Sequence, residues 1–228
     1  ETQKKRFKNE SFLVDSLDHP HIVRVYERGQ HEDTLYIVME LLEGQTLAER
    51  YEDSYPTVSE CIHIMIQIAH ILVNLYQQDI IHRDLKPENI MLISKENDLN
   101  YVKLLDFGLA RIQSFSHLTE TGQVMGTIFY MPPEVIADEP PSPAVDIYSL
   151  GIIAYEMLTR RKPFTGDNPV DIMKKILSDM PIPPIEIVPE IPPRLNELVL
   201  NMIEKNPTNR LNAQDLLVTL VSLRKENI

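Results

Sequence analysis

A chain of 228 residues can bury a substantial core, and 43% hydrophobic with 25% charged residues is ordinary for a globular protein. Twenty-two Lys and Arg against 34 Asp and Glu give a net charge of −12, which argues against a protein that grips a nucleic-acid backbone. The single cysteine, Cys61, excludes an internal disulfide framework and fits a reducing compartment; with no Cys/His signature around it, it reads as a helix-packing residue.

Residues 1–10 are charged throughout and do not read as a signal peptide. In residues 3–17, Phe7, Glu10, Leu13, Val14 and Leu17 fall at helical spacings, and Asp18-His19-Pro20 ends that helix because proline disfavours helical geometry in the residue before it. The apolar runs 22–26 and 34–40, joined through 29–33, predict an antiparallel pair. Glu43-Gly44-Gln45 reads as a flexible joint and a domain division. Beyond it the pattern is mostly helical: 59–77, 146–159, 170–177, 194–203 and 213–225. Short strands are expected at 90–93 and 102–105, separated by a polar stretch at 94–100. The Pro-rich stretch 180–193 reads as an extended surface crossing. The most apolar stretch, 147–158, is too short for a membrane span and carries Glu156, so no membrane contact and a soluble, cytoplasmic segment are expected, with a parent anchored through other segments left open.

The chemistry concentrates in His82-Arg83-Asp84-Leu85-Lys86-Pro87-Glu88-Asn89, followed by Asp106-Phe107-Gly108. Phosphoryl transfer needs a carboxylate to orient a hydroxyl and take its proton, and a cation to offset charge on the moving group. It also needs a carboxylate and an amide oxygen to hold Mg²⁺ against phosphate oxygens. Asp84, Lys86, Asp106 and Asn89 can fill those roles in that order.

With these motifs the chain resembles the eukaryotic-type Ser/Thr protein kinase catalytic domain. The resemblance continues through residues 106–134, which look like an activation segment ending in Met131-Pro132-Pro133-Glu134, where Pro132 departs from the usual Ala-Pro-Glu. It extends to Asp146-Ile147-Tyr148-Ser149-Leu150-Gly151, which resembles the start of a buried central helix, and to Asn206-Pro207-Thr208-Asn209-Arg210. It implies an α+β, two-lobed kinase fold: a partial small lobe at 1–39 (one helix and the strands after it), a hinge at 40–44 and a mainly α large lobe at 45–228. It also implies transfer of the ATP γ-phosphate, with Mg²⁺, to protein Ser or Thr. Lys86 is the residue that Ser/Thr kinases carry there, with Thr127 supporting it and Asp84. Within the class, 146–183 most resembles the bacterial receptor-like Ser/Thr kinases.

By the same resemblance Met39 is a gatekeeper, Glu40 and Leu42 offer backbone groups to adenine, Met91 lies under the base, and Glu10 pairs with a nucleotide-binding lysine. Asp146 would hold the catalytic-loop backbone, and Glu134 would pair with Arg210 in a structural role. Thr119 and Thr121 are expected phosphorylation sites answered by Arg83. Partners implied are protein Ser/Thr substrates and a homodimer that phosphorylates in trans; nucleic acid is not expected. Taken alone, Asp146 could be an N-cap, Glu10 a solvated helix residue and Met91 core filling. The glycines at 29, 44, 108, 122, 126, 151 and 166 are too scattered for a phosphate-covering loop, and Lys4, Lys5 and Lys8 share a helix with Glu10. The chain therefore reads as N-terminally truncated before the Gly-rich loop and its lysine, the alternative being a kinase-like scaffold without catalysis.

Overall fold

The computed structural model describes residues 19–32, 34–105 and 124–226. It is a mixed α+β arrangement in which two small sheets precede a mostly helical part. Strand β1 (Val25–His31) pairs antiparallel with β2 (Thr34–Met39), from Val25 opposite Met39 to His31 opposite Thr34. The expected pair is present but displaced: its first strand starts at Val25 rather than Ile22, and 29–31 belong to the strand rather than to the turn. Ile22 is taken instead by a parallel bridge to Leu104.

A second sheet has the order β3 (Gly44–Thr46), β4 (Ile90–Lys95), β5 (Asp98–Leu104), all antiparallel. The joint expected at 43–45 is thus partly a strand. Gly44 is required there, because a Cβ would stand 2.2 Å from the Leu92 carbonyl oxygen across the ladder. The polar stretch 94–100 is likewise mostly strand around a two-residue turn, in which Glu96 takes φ 55°. Side chains alternate across this sheet. Ile90, Leu92, Val102 and Leu104 are buried, while Met91 and its cross-strand partner Lys103 share the other face.

Helix α1 (Leu47–Asp53) was not expected, and α2 (Val58–Tyr76) was. Both begin with a capping box, Thr46 with Glu49 and Thr57 with Glu60. Length and composition would let α2 cross a membrane, contrary to the expectation that no segment reads as a span. Yet 61% of its apolar window is buried inside the protein, and it carries fully buried Cys61, Ile64, Met65 and Leu72. Its Gln67 is buried and satisfied: its amide donates to the Asn100 carbonyl and its oxygen accepts from Val102 N–H.

Two short helices, α3 (Val124–Ile128) and α4 (Pro133–Ile136), precede α5 (Ala144–Thr159), in which every residue from Val145 to Thr159 is buried. A helix covered on all sides is a core element, and the others pack around it. They are α6 (Pro169–Ser178), α7 (Pro184–Ile187), α8 (Pro193–Met202) and α9 (Ala213–Lys225). The proline-rich crossing is only partly extended, since it holds α7 and buries Pro184 and Ile191. Helix α9 lies on α2, and α8 on α5.

Candidate active site

The segment from His82 to Asn89 connects α2 to β4, and its shape is imposed from below by α5. Arg83 adopts φ 66°, a left-handed conformation that costs a non-glycine residue about 1 kcal/mol. Asp146 holds it there. One carboxylate oxygen accepts Arg83 N–H at 2.8 Å, and the other accepts His82 N–H at 2.8 Å and the Tyr76 hydroxyl at 3.2 Å. Asp146 lies in the first turn of α5 beyond the N-cap, which is Pro143, so its role here is tertiary. Burial pushes its carboxyl up to about 6, against the lowering pull of the hydrogen bonds from Arg83, His82 and Tyr76.

Above this support stand the chemical groups. Lys86 Nζ is 3.2 Å from Asp84 Oδ2. The Asn89 amide nitrogen donates to the Asp84 carbonyl at 2.8 Å and to Asp84 Oδ2 at 3.0 Å. Asp84 N–H donates to His82 Nδ1 at 3.3 Å, which ties the loop to a fully buried imidazole. Pro87–Asn89 is a single 3₁₀ turn, and it brings Asn89 back over Asp84. Leu105 N–H then bonds the Asn89 carbonyl at 2.9 Å, so the chain just before Asp106 runs beside Asn89.

With its nitrogen committed to Asp84, the Asn89 side chain has its oxygen left to offer. Among the described residues no group of three His, Cys, Asp or Glu is set for a metal. A hard amide oxygen next to a carboxylate suits Mg²⁺, which keeps waters and phosphate oxygens as its other ligands. Asp106, the other expected ligand, lies outside the described residues, as do Glu10, Thr119 and Thr121.

The remaining expected residues are spread along the chain. Met39 ends β2, partly exposed, and the link 40–43 carries Glu40 and Leu42. Met91 sits in β4 between Thr46 and Lys103. Thr127 lies in α3, and its carbonyl accepts Tyr130 N–H at 3.2 Å. Glu134 and Arg210 are brought together in a two-pronged pair, Nη1 to Oε1 at 2.6 Å and Nη2 to Oε2 at 2.8 Å. Arg210 also donates to the carbonyls of Ala144, Glu204 and Lys205, and its guanidinium lies 4.9 Å from the Tyr148 ring centroid. A pair this buried is tolerable only because its donors are satisfied.

Sequence reasoning missed five contributing residues. Tyr76, read as part of a helix stripe, also bonds Asp146 and the Pro143 carbonyl. Tyr130, Glu156 and Lys162 form a closed set: Tyr130 O–H to Glu156 at 2.6 Å, and Lys162 Nζ to both at 2.7 Å. Lys103 reaches Glu40. A single sequence carries no signal for such long-range partners.

The fold and this loop define a protein kinase domain, and the chain belongs to that family: its family model matches residues 1–220. The chain is 38% identical over 224 residues to a probable serine/threonine-protein kinase of Clostridium perfringens, covering 97% of this chain and 32% of that protein. It is 36% identical over 214 residues to serine/threonine-protein kinase PrkC of Bacillus subtilis, covering 93% and 32%. With serine/threonine-protein kinase PknB of Mycolicibacterium smegmatis it shares 39% over 212 residues, covering 90% and 33%. The chain therefore spans about a third of the length of these relatives.

Proposed function

We propose that the protein carrying this chain transfers the ATP γ-phosphate to serine or threonine hydroxyls of proteins. The observation that carries the reading is the arrangement of Asp84, Lys86 and Asn89, held on a backbone that the buried Asp146 fixes. In this reading Asp84 orients the acceptor hydroxyl and takes its proton, while Lys86 offsets charge on the transferred group. Asn89 and Asp106 would hold Mg²⁺, which would supply positive charge to neutralise the phosphates. Thr127 supports Asp84 and Lys86.

Met39, the backbone of Glu40 and Leu42, and Met91 form the adenine end, and Glu10 pairs with a lysine that contacts the phosphates. The division into a small lobe at 1–39, a hinge at 40–44 and a large lobe at 45–228 belongs to the same reading, as does an activation segment at 106–134. Phosphate on Thr119 or Thr121, answered by Arg83, would order that segment by adding about −1.5 to −2 charge and new charge-assisted bonds. A second copy of the protein would supply it in trans. The similarity to bacterial serine/threonine-protein kinases over nearly the whole chain supports this reading.

The test is incorporation of labelled phosphate from Mg-ATP into a Ser/Thr substrate by the full-length protein and by its Asp84→Asn and Asp106→Ala forms, followed by mass spectrometry of 114–127. Each variant is expected to lose at least about a hundredfold in rate. Equal incorporation by wild type and both variants would overturn the assignment. Nucleotide binding with no transfer by the wild type would favour the scaffold reading.

A further inference from the structure

Lys103 stands in β5 opposite Met91, and the two side chains share the face of the sheet turned away from the core. Its Nζ reaches Glu40 Oε1 at 2.5 Å and the Ile22 carbonyl at 3.3 Å, with only 12% of the lysine side chain and 23% of the glutamate side chain accessible. Glu40 Oε1 also accepts Arg24 N–H, and Glu40 N–H returns a bond to the Arg24 carbonyl, both at 2.9 Å.

These contacts meet where the two sheets are joined. Among the described residues, the β1–β2 pair connects to the β3–β4–β5 sheet in two ways. One is the covalent link 40–43 from β2 to β3. The other is the segment 21–23, which runs along β5 with Val23 N–H on the Leu104 carbonyl and Leu104 N–H on the His21 carbonyl. His21 adds a bond from Nδ1 to the Val102 carbonyl at 2.9 Å and stacks on Tyr101 at 4.3 Å. The Lys103 ammonium touches both connections at once. The two sheets therefore cannot change their mutual angle without separating it from Glu40 or from Ile22.

We propose that Lys103 is a positioning residue for nucleotide: a latch that fixes the backbone of 40–42 opposite Met91 through the Glu40 side chain. This deepens the reading above and rests on its adenine site, because Glu40 and Leu42 present main-chain groups to the base there. A base meets a preset edge if the link is held, and must order it if the link is free. Burial works against the Glu40 charge, but the Lys103 and Arg24 hydrogen bonds outweigh it and hold the carboxyl below its ordinary range. Lys103 is thus opposite a charged partner at neutral pH.

The experiment uses the full-length protein with Lys103→Met, Glu40→Gln, the double variant and Lys103→Arg. Hydrogen exchange reports the latch, and calorimetric titration with Mg-ADP reports positioning. In Lys103→Met, amides in 21–24 and 40–43 should exchange faster while those of α5 stay unchanged. Each single loss should weaken Mg-ADP binding about 5–10-fold, the double variant should be no weaker than the worse single, and Lys103→Arg should recover binding to within about twofold. Unchanged exchange in 21–24 and 40–43 would overturn the latch. Faster exchange with unchanged affinity, or losses that multiply in the double variant, would overturn the positioning role. A wild-type protein that fails to bind Mg-ADP would overturn the adenine-site reading, and with it positioning, while exchange would still decide the latch.

Discussion

Asp146 faces three donors and lies in a setting that resists its charge. Its carboxyl is raised to about 6 from an ordinary 3.8, and burial is the main cause. The native state therefore holds a proton there that the unfolded chain gives up. The stability contribution is full below about pH 4 and is lost as pH rises towards 6, roughly 3 kcal/mol in all. The loop, however, needs the ionised form, since Arg83 N–H, His82 N–H and the Tyr76 hydroxyl all donate to it. Stability and loop order should thus move in opposite directions with pH. Amide exchange at His82 and Arg83, corrected for intrinsic rate, should accelerate below pH 6, while the stability of the wild type relative to Asp146→Asn in urea should not fall between pH 6 and 5, a comparison that cancels the loss from His19 and His21, whose burial holds them below the usual imidazole range. In Asp146→Asn the two amides should exchange quickly at every pH. Amides equally protected at pH 5 and 7.5 in the wild type would refute this account of Arg83.

Among the described helices, α5 packs tightly against the end of α8. A Cβ on Gly151 would stand 2.7 Å from Ile203 Cγ2 and 2.8 Å from Met202 Cβ, in a region with almost no exposed surface. Gly151→Ala gains helix propensity worth about 1 kcal/mol but overpacks this contact, and overpacking costs about 1–3 kcal/mol. Net destabilisation of up to about 2 kcal/mol is expected in urea unfolding; a gain in stability would mean that α8 can shift freely. The long helices were legible because their apolar periodicity is sustained, and α2, α5 and α9 lie within two residues of the expected bounds. Helix α1 was not, although Thr46-x-x-Glu49 is a capping signature, because seven residues give too little period to see. Helix α7 was hidden by prolines that sit where a first turn accepts them. Asp84, Lys86 and Asn89 could be read from the sequence because they fall within six residues. Lys103 with Glu40, 63 positions apart, depends on strand register and could not.

Across the whole molecule, burial is uneven, and stability should follow it. Helices α2 and α5 contribute most of the fully buried side chains, and each buried Leu or Ile is worth about 1.5–3 kcal/mol. The β1–β2 pair holds few such groups. Tyr26 is 62% exposed, Val38 43% and Met39 39%, and Leu41 just beyond is 91% exposed. A two-stranded pair by itself is marginal in water. Among the described residues, the segment 21–23 on β5 and the Lys103–Glu40 contact anchor this pair. Opening it breaks few apolar contacts, so it should open alone, at a free energy well below that of global unfolding. Hydrogen exchange of the wild-type protein should therefore give a graded order. Amides of 26–39 should exchange first, those of β4 and β5 later, and those of α2 and α5 only at the global limit. If nucleotide sits where proposed, between the pair and Met91, Mg-ADP at saturation should slow 26–39 selectively, because it would stabilise only the closed arrangement. If 26–39 were as protected as α5 without nucleotide, the molecule would unfold as one unit, and Lys103 would have no separate motion to restrain.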